Sequence, residues 1–192
     1  MPDPEAPAPE RVLASRHLYR GSIVNLRLDT VALPRGGTAQ REIVEHGDVA
    51  AIVPVDDQGN VLLVRQFRLA VGSDLLEVPA GGLDAGESPA EAAQRELAEE
   101  TGHRAARLLP LGGFYVSPGY TSEFIHVFLA RGLEPASVDA DPDEDIVIER
   151  VPLARALALV REGVIRDAKS IIGLLWAAQA LGLIVEGKDG DG

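Results

Sequence analysis

The sequence predicts an α+β fold built on a mixed β-sheet. The chain has 192 residues, which is enough for one domain with a full hydrophobic core. Apolar residues make up 46% of the chain, a share that excludes a disordered sequence. The predicted strands and helices do not alternate regularly, so α+β or mixed-sheet architecture fits the pattern better than a doubly wound fold.

The first half of the chain is predicted to be mainly strand. Residues 12–46 spread their apolar side chains as strands do, with a turn at residues 34–37. Two apolar runs, at residues 49–55 and 60–67, flank the sequence Asp-Asp-Gln-Gly, which predicts a hairpin. A short strand at residues 75–78 then runs into a Pro-Ala-Gly-Gly turn.

The second half of the chain is predicted to contain three helices. The first covers residues 88–101, and two more at residues 153–162 and 168–181 close the chain. A loop at residues 134–145 is rich in Asp and Pro. The remaining apolar runs predict strands at residues 108–116, 123–130 and 146–151.

Charge and composition exclude several classes of protein. With 18 Lys and Arg against 30 Asp and Glu, the net charge is −12, so we expect neither nucleic-acid nor membrane binding. The chain has no Cys, which excludes disulfides and thiolate chemistry. Its Pro-rich start is unlike a signal peptide. The apolar stretch 171–185 is interrupted by Gly and Gln and fits a buried helix. We therefore expect a cytoplasmic protein.

The first predicted helix is marked at both ends. Ser88 suits the N-cap, Pro89 suits the first helical position, and Glu91 completes a capping box with Ser88. Gly102 is placed to end the helix in a left-handed conformation. These signals define a helix of about three and a half turns.

Three carboxylates share one face of this helix. At about 100° per residue, Glu96, Glu99 and Glu100 fall within an arc of roughly 100°. Such clustering is favourable if divalent cations lie between the oxygens. Arg95 stands four residues before Glu99, where a bidentate pair would orient that carboxylate. The alternative is a solvated acidic helix start, which explains Glu91 but not carboxylates near the helix C-terminus.

These residues resemble the Nudix box. Gly81 is followed after five residues by Glu87 and, after seven more, by Arg-Glu-Leu-Ala-Glu-Glu-Thr-Gly, which ends at Gly102. Every fixed position is filled at the right spacing, which is far more specific than a short glycine motif. One softer position departs from the pattern. It is usually aliphatic, and here it is His103; we expect this to affect loop packing and not chemistry.

The resemblance implies an α/β/α sandwich in which a mixed sheet lies between helices. It also implies Mg²⁺ or Mn²⁺ as the cofactor, held by Glu96 and Glu100 with Glu99 assisting and with the backbone carbonyl of Ala80 as a further ligand. Hard cations with oxygen ligands suit the neutralisation of a pyrophosphate and the activation of a water. The residues that it implies as supports of the helix are Glu87 and Arg95.

The flanking sequence resembles the ADP-ribose pyrophosphatase branch of the family. Pro118, in Ser-Pro-Gly, lies 16 residues after Gly102, as in the proline signature of that branch. By the same match, Arg41 and Arg68 are candidates for contacting the diphosphate or the terminal ribose. Each is equally explained as a surface strand residue paired with a carboxylate. Gly82 completes the predicted substrate-binding set.

The branch implies hydrolysis of ADP-ribose, a small-molecule substrate, to AMP and ribose 5-phosphate. One alternative is another nucleoside diphosphate sugar. A second is a sensing module that binds ADP-ribose without cutting it, although such modules usually lose the box carboxylates that are present here. A hydrolase for oxidised nucleoside triphosphates is disfavoured because that branch lacks the Pro118 arrangement. We assign no histidine a role.

The resemblance places a catalytic base on an acidic loop downstream of the proline, where Glu144 matches best. At a position where related enzymes often carry Glu, this chain has Pro142. Asp141, Asp143 and Glu99 therefore stay open as alternatives, as does a solvated loop with no catalytic role. The predicted catalytic residues are Glu99, Glu100 and Glu144.

Three segments are predicted along the chain. Residues 1–46 form a flexible tail and an N-terminal β segment for dimerisation, residues 47–187 form the catalytic domain, and residues 188–192 form a second tail. Enzymes that resemble this one are commonly homodimers that exchange the N-terminal segment. We therefore expect a homodimer with the active site near the subunit interface.

Overall fold

The computed structural model describes residues 8–137 and 145–183. The chain divides into two units, each with its own contacts. One unit comprises Met1–Gly47 and Tyr115–Glu123, and the other comprises Asp48–Phe114 and Phe124–Gly192. The predicted carboxylate helix lies in the second unit.

The first unit contains a three-stranded antiparallel sheet. Its strands are β1 (Arg11–Arg20), β2 (Val24–Ala32) and β3 (Thr38–His46), in that spatial order. The predicted turn before β3 is confirmed, because Gly36 and Gly37 take positive φ angles of 91° and 88° there. A bridge between Val44 and Thr121 joins the segment Tyr115–Glu123 to β3.

The second unit contains seven strands and three helices among the described residues. The strands are β4 (Val49–Pro54), β5 (Asn60–Arg68), β6 (Ser73–Glu77), β7 (Ala80–Gly82), β8 (His103–Tyr115), β9 (Phe124–Pro135) and β10 (Val147–Pro152). The helices are α1 (Pro89–Thr101), α2 (Leu153–Arg161) and α3 (Ala168–Ala180).

The strands of the second unit form two sheets, with the orders β10-β5-β6 and β7-β4-β9-β8. β4 runs parallel to β9 and antiparallel to β7. Because one sheet holds both kinds of pairing, the predicted mixed sheet is confirmed.

Helices cover both faces of β4. Its alternate residues point to opposite sides, as the period of a strand requires. Ala50 and Ile52 pack with Ala92, Ala93 and Leu97 of α1. The other face of β4, which carries Val49, Ala51 and Val53, lies in one cluster with residues of α2 and α3. The residues of α2 are Leu153 and Ala156, and those of α3 are Leu174 and Ala177. The predicted arrangement of a mixed sheet between helices is therefore confirmed.

Two local predictions are wrong. The first is the hairpin of residues 49–55 and 60–67, whose strands do not form a ladder. The turn between them does form, with Asp56 N–H donating to Asn60 O at 2.8 Å. The strands part after a single bridge between Val55 and Val61, because β4 is fully buried and takes its ladder partners from β7 and β9. The predicted Pro-Ala-Gly-Gly turn contains the short strand β7, which pairs with β4.

None of the helices within the described residues combines the length and the apolar character that crossing a lipid bilayer requires.

Candidate active site

The caps of α1 form as the sequence predicts. The Ser88 hydroxyl accepts from Glu91 N–H at 3.3 Å, and the Glu91 carboxylate accepts from Ser88 N–H at 2.9 Å. Gly102 ends the helix with φ at 66°, and its N–H donates to Ala98 O. With both ends fixed and Leu97 fully buried against the sheet, the direction of each helix side chain is set.

Two box carboxylates converge on two successive residues of β7. Glu100 is only 6% exposed, and its Oε2 accepts from Ala80 N–H at 3.2 Å. The Glu96 carboxylate lies where a Cβ on Gly81 would stand. Gly81 is therefore glycine because the carboxylate needs the space, and both acid groups meet the strand at adjacent positions.

Arg95 holds the carboxylates of this site in place. Its Nε and Nη2 donate to the two oxygens of Glu87 at 3.0 and 2.9 Å. Its Nη1 donates to Glu96 at 2.6 Å and to Glu99 at 3.1 Å. The bidentate partner is thus Glu87, and the predicted bidentate pair with Glu99 is wrong. The loop before α1 brings Glu87 to the edge of the guanidinium, so that Nη1 alone remains for the helix carboxylates.

The charges around Arg95 are strongly coupled. The hydrogen bonds that Arg95 donates to Glu87 and then to Glu96 raise the pKa of Arg95 far above its ordinary value, and burial only partly opposes this rise. In turn the Arg95 guanidinium, followed by the backbone N–H of Asp84, lowers the pKa of the Glu87 carboxyl. The guanidinium is therefore a permanent cation, and Glu87 is ionised beside it.

A divalent cation fits the chemistry of this donor set. The carboxylates of Glu96 and Glu100 and the backbone of Ala80 and Gly81 lie together, and hard cations prefer such oxygen donors. Among the residues that the structure describes, no three His, Asp or Glu side chains form a metal cluster by themselves. A cation here would therefore take ligands from backbone, substrate or water as well.

Arg68 is held by a buried carboxylate. Its Nε and Nη2 donate to the two oxygens of Glu77 at 2.9 and 2.8 Å, although Arg68 remains 40% exposed. Arg68 also borders an open cavity of about 500 Å³ whose lining includes Arg65 and Asp74. The sequence analysis did not single out Glu77, and its position two residues before Pro-Ala-Gly-Gly was the available signal.

A larger cavity of about 760 Å³ runs along another flank of α1. Arg95 borders it, but Glu96, Glu99 and Glu100 are not among its lining residues. Cavity size therefore does not mark the site in this fold, and the convergence of carboxylates does.

Two predicted substrate contacts lie in the first unit. Arg41 donates from Nε and Nη2 to Glu10 at 3.1 and 2.5 Å in an exposed pair. Pro118 lies inside a turn in which Tyr120 and Thr121 N–H donate to Ser117 O at 3.1 and 3.0 Å. The structure thus shows what shapes these residues, and their contact with substrate stays a prediction.

The remaining predicted residues fall into two groups. The carbonyl of Gly82 accepts from Arg95 Nη2 at 2.8 Å, which ties this residue to the box. Asp141, Asp143 and Glu144 lie outside the described residues.

Comparisons with known proteins show which proteins this chain resembles. A family model described as NUDIX domain matches residues 45–172, and one described as nucleoside diphosphate sugar hydrolase N-terminal domain matches residues 10–44. An ADP-ribose pyrophosphatase of Bacillus subtilis is 39% identical over 163 residues, which are 84% of this chain and 88% of that protein.

Two further matches cover most of the chain. An ADP-ribose pyrophosphatase of Mycobacterium tuberculosis is 41% identical over 166 residues, 85% of this chain and 80% of that protein. A crystal structure of an ADP compounds hydrolase superposes with a TM-score of 0.84 at 25% identity, and it covers 93% of this chain and 97% of that one.

Proposed function

The chain belongs to the Nudix family, and from this premise we propose that it hydrolyses the pyrophosphate bond of ADP-ribose to give AMP and ribose 5-phosphate. The single observation that carries the proposal is the convergence of the Glu96 and Glu100 carboxylates on Ala80 and Gly81. Relatives that are 39% and 41% identical are named ADP-ribose pyrophosphatases, which supports ADP-ribose as the substrate.

Nudix enzymes generally need a divalent metal ion, and we propose Mg²⁺ or Mn²⁺ for this chain. Glu96 and Glu100 would hold it together with the Ala80 carbonyl, and Glu99 would assist. When bound, the cation supplies Lewis-acid stabilisation of the pyrophosphate oxygens and lowers the pKa of a bound water. Arg95 keeps the acidic side chains oriented through its contacts with Glu87, Glu96 and Glu99.

The identity of the catalytic base stays a proposal. Glu144 is our first choice, with Asp141 and Asp143 as alternatives, and all three lie outside the described residues. Glu99 is the alternative within the box. Its side chain is 29% exposed. Its Oε2 accepts one hydrogen bond from Arg95, which fixes the direction of this carboxylate.

The substrate contacts are proposed for Arg41, Arg68, Gly82 and Pro118. An exposed ion pair such as that of Arg41 with Glu10 contributes about 0–1 kcal/mol, so a phosphate can displace the Glu10 carboxylate at small cost. Arg68 differs, because two hydrogen bonds to buried Glu77 fix its direction. A fixed guanidinium beside an open cavity suits recognition of phosphate or ribose oxygens.

We propose a homodimer in which the N-terminal β segment forms part of the interface. Every residue of β1 is exposed, and its apolar side chains include Val12, Leu13, Leu18 and Tyr19, each 45–59% exposed. A run of exposed apolar side chains on an edge strand is characteristic of an interface. A cytoplasmic location stays a prediction.

Another nucleoside diphosphate sugar is the second candidate substrate. The match of residues 10–44 to the N-terminal domain of nucleoside diphosphate sugar hydrolases favours this class as a whole. A comparison of kcat/KM for ADP-ribose and ADP-glucose distinguishes the two, because the higher value identifies the substrate whose transition state the site binds more tightly.

The test is AMP release from ADP-ribose in the presence of Mg²⁺, measured by chromatography for the wild type and Glu100→Gln. Glutamine keeps an acceptor for Ala80 N–H but removes the charge that would hold the cation, so the fold is kept. The activity falls by about 100-fold or more, because a metal ion supplies several kcal/mol of transition-state stabilisation. Glu134→Gln on the exposed end of β9 is the control and keeps full activity. A wild type that binds ADP-ribose without turnover would instead identify a sensing module.

A further inference from the structure

The backbone that connects β6 to β7 is held by three different elements. Val78 N–H donates to the Ser170 hydroxyl of α3 at 2.7 Å. Pro79 O accepts from Ile52 N–H of β4 at 2.9 Å, and Ala80 N–H donates to Glu100 of α1 at 3.2 Å. The position of Ala80 therefore depends on α3 as well as on the box.

Ser170 is fixed at both of its polar groups. Its side chain is fully buried, and its own N–H donates to the carboxylate of Asp167, the N-cap of α3, at 3.1 Å. The N-cap determines where the first turn begins, and the first turn places the hydroxyl against Val78. A buried hydroxyl in such a position satisfies a backbone N–H that would otherwise lose its partner.

The neighbouring residue of α3 secures the residue before Val78. Lys169 forms an ion pair with the carboxylate of Glu77, and it also pairs with Asp167 at 3.0 Å. Glu77 is 1% exposed. Burial opposes its ionisation, yet the hydrogen bonds from Arg68 and the charge of Lys169 outweigh burial and keep the pKa of Glu77 below its usual value.

A buried ion pair of this kind is weak evidence for stability, because desolvation offsets much of the attraction. Its effect on geometry is clearer. Lys169 holds the side chain of Glu77 and Ser170 holds the backbone of Val78, so that the start of α3 grips two successive residues. Ala80 follows two residues later and meets Glu100.

We propose that Ser170 and Lys169 are positioning residues for the metal-binding half of the active site. They keep the segment from Glu77 to Ala80 in register with Glu100, so that the Ala80 carbonyl and the Glu100 carboxylate hold the spacing that a divalent cation requires. Mg²⁺ in particular demands near-ideal ligand geometry, and partners behind the ligands commonly set it. The proposal rests on the function proposed above.

The experiment measures Mn²⁺ binding directly, from the electron paramagnetic resonance signal of the free ion, and so does not depend on turnover. Ser170→Ala removes the hydroxyl, Ser170→Thr keeps it, and Lys169→Met removes the cation while keeping a long side chain. We expect Ser170→Ala and Lys169→Met to weaken Mn²⁺ binding by about 10-fold or more, as losses of such supporting partners do. Ser170→Thr restores most of the affinity.

The control variant is Leu174→Ala, which opens a cavity under the same helix at a fully buried position. It lowers the melting temperature but leaves the Mn²⁺ affinity within about twofold, because the hydrogen bond from Val78 to Ser170 and the ion pair of Glu77 with Lys169 are kept. Wild-type Mn²⁺ affinity in folded Ser170→Ala and Lys169→Met would overturn the proposal, as would equal losses in Leu174→Ala.

The proposed function can fail separately. A wild type that binds Mn²⁺ but hydrolyses neither ADP-ribose nor ADP-glucose refutes the activity, while the variant series still decides the role of α3. A wild type that binds no Mn²⁺ refutes both.

Discussion

Substitution of Gly81 by alanine tests the placement of Glu96 most directly. The added Cβ would stand only 2.1 Å from Cδ and Oε1 of the Glu96 carboxylate. Nonbonded carbon atoms settle at about 3.5–4.0 Å, so the carboxylate must retreat by at least about 1 Å. The obstacle is the flexible end of a side chain, so the fold itself need not move.

The expected cost of Gly81→Ala therefore falls on activity and not on stability. Gly81 is not among the glycines with positive φ, and alanine in a compatible backbone conformation changes stability by less than about 1 kcal/mol. A misplacement of about 1 Å lowers activity about 100-fold, which corresponds to about 2.7 kcal/mol of transition-state stabilisation.

The assay compares kcat/KM for ADP-ribose with the midpoint of urea unfolding in the same preparation. Gly47→Ala is the matched control, because its Cβ would meet nothing within 4 Å and its φ is not positive. It keeps both properties. Full activity in Gly81→Ala would refute the reasoning, since it would mean that the position of the Glu96 carboxylate does not matter. A large loss of stability would equally show that the strain falls on the backbone.

Three further predictions concern stability and substrate binding. Glu77→Gln leaves Arg68 and the partly buried Lys169 without their counter-charge and lowers the free energy of unfolding at pH 7 by about 3 kcal/mol. The pKa of Glu77 is lowered in the folded state. The stability that ionised Glu77 contributes is therefore present above its ordinary pKa of 4.5, and it is lost as the pH falls through the pKa of the folded state. Urea titrations of the wild type and Glu77→Gln at pH 7 and pH 3.5 check this. An equal difference between their free energies of unfolding at the two pH values would contradict it. Ser88→Ala removes the capping box of α1 and lowers the free energy of unfolding by about 1 kcal/mol, read from urea unfolding. Gly82→Ala adds a Cβ into open space, so stability stays constant while KM for ADP-ribose rises if substrate passes there; an unchanged KM removes Gly82 from the binding set.

Local sequence patterns predicted α1 almost to the residue. Ser88 and Gly102 mark its ends through contacts with residues three or four positions away, and such contacts are readable from spacing alone. Pro89 suits the first helical position because it has no N–H to leave unpaired there. The same reasoning failed for the pairing of β4 with β5, although the turn between them forms. Turn residues determine whether the chain reverses, but they do not determine which strands pair afterwards.

The arginines show the same limit. Spacing within a helix suggested Glu99 as the bidentate partner of Arg95, whereas the structure gives that place to Glu87. Arg68 meets Glu77 across two strands. The segment Tyr115–Glu123 groups with the N-terminal sheet, which no pattern within that segment indicates.

The sequence by itself determined the mixed α+β class, the carboxylate helix and the family, because each depends on residue types at short, fixed spacings along the chain. Only the tertiary structure decided which groups meet: Glu96 at Gly81, Glu100 at Ala80, and Ser170 and Lys169 behind them. These contacts join residues that are 15 to 92 positions apart, and they form when a helix packs on a sheet and removes apolar surface from water. The hydrophobic effect that drives this packing is non-directional, so residue spacing does not determine which groups it brings together. The partners become visible only in the folded chain.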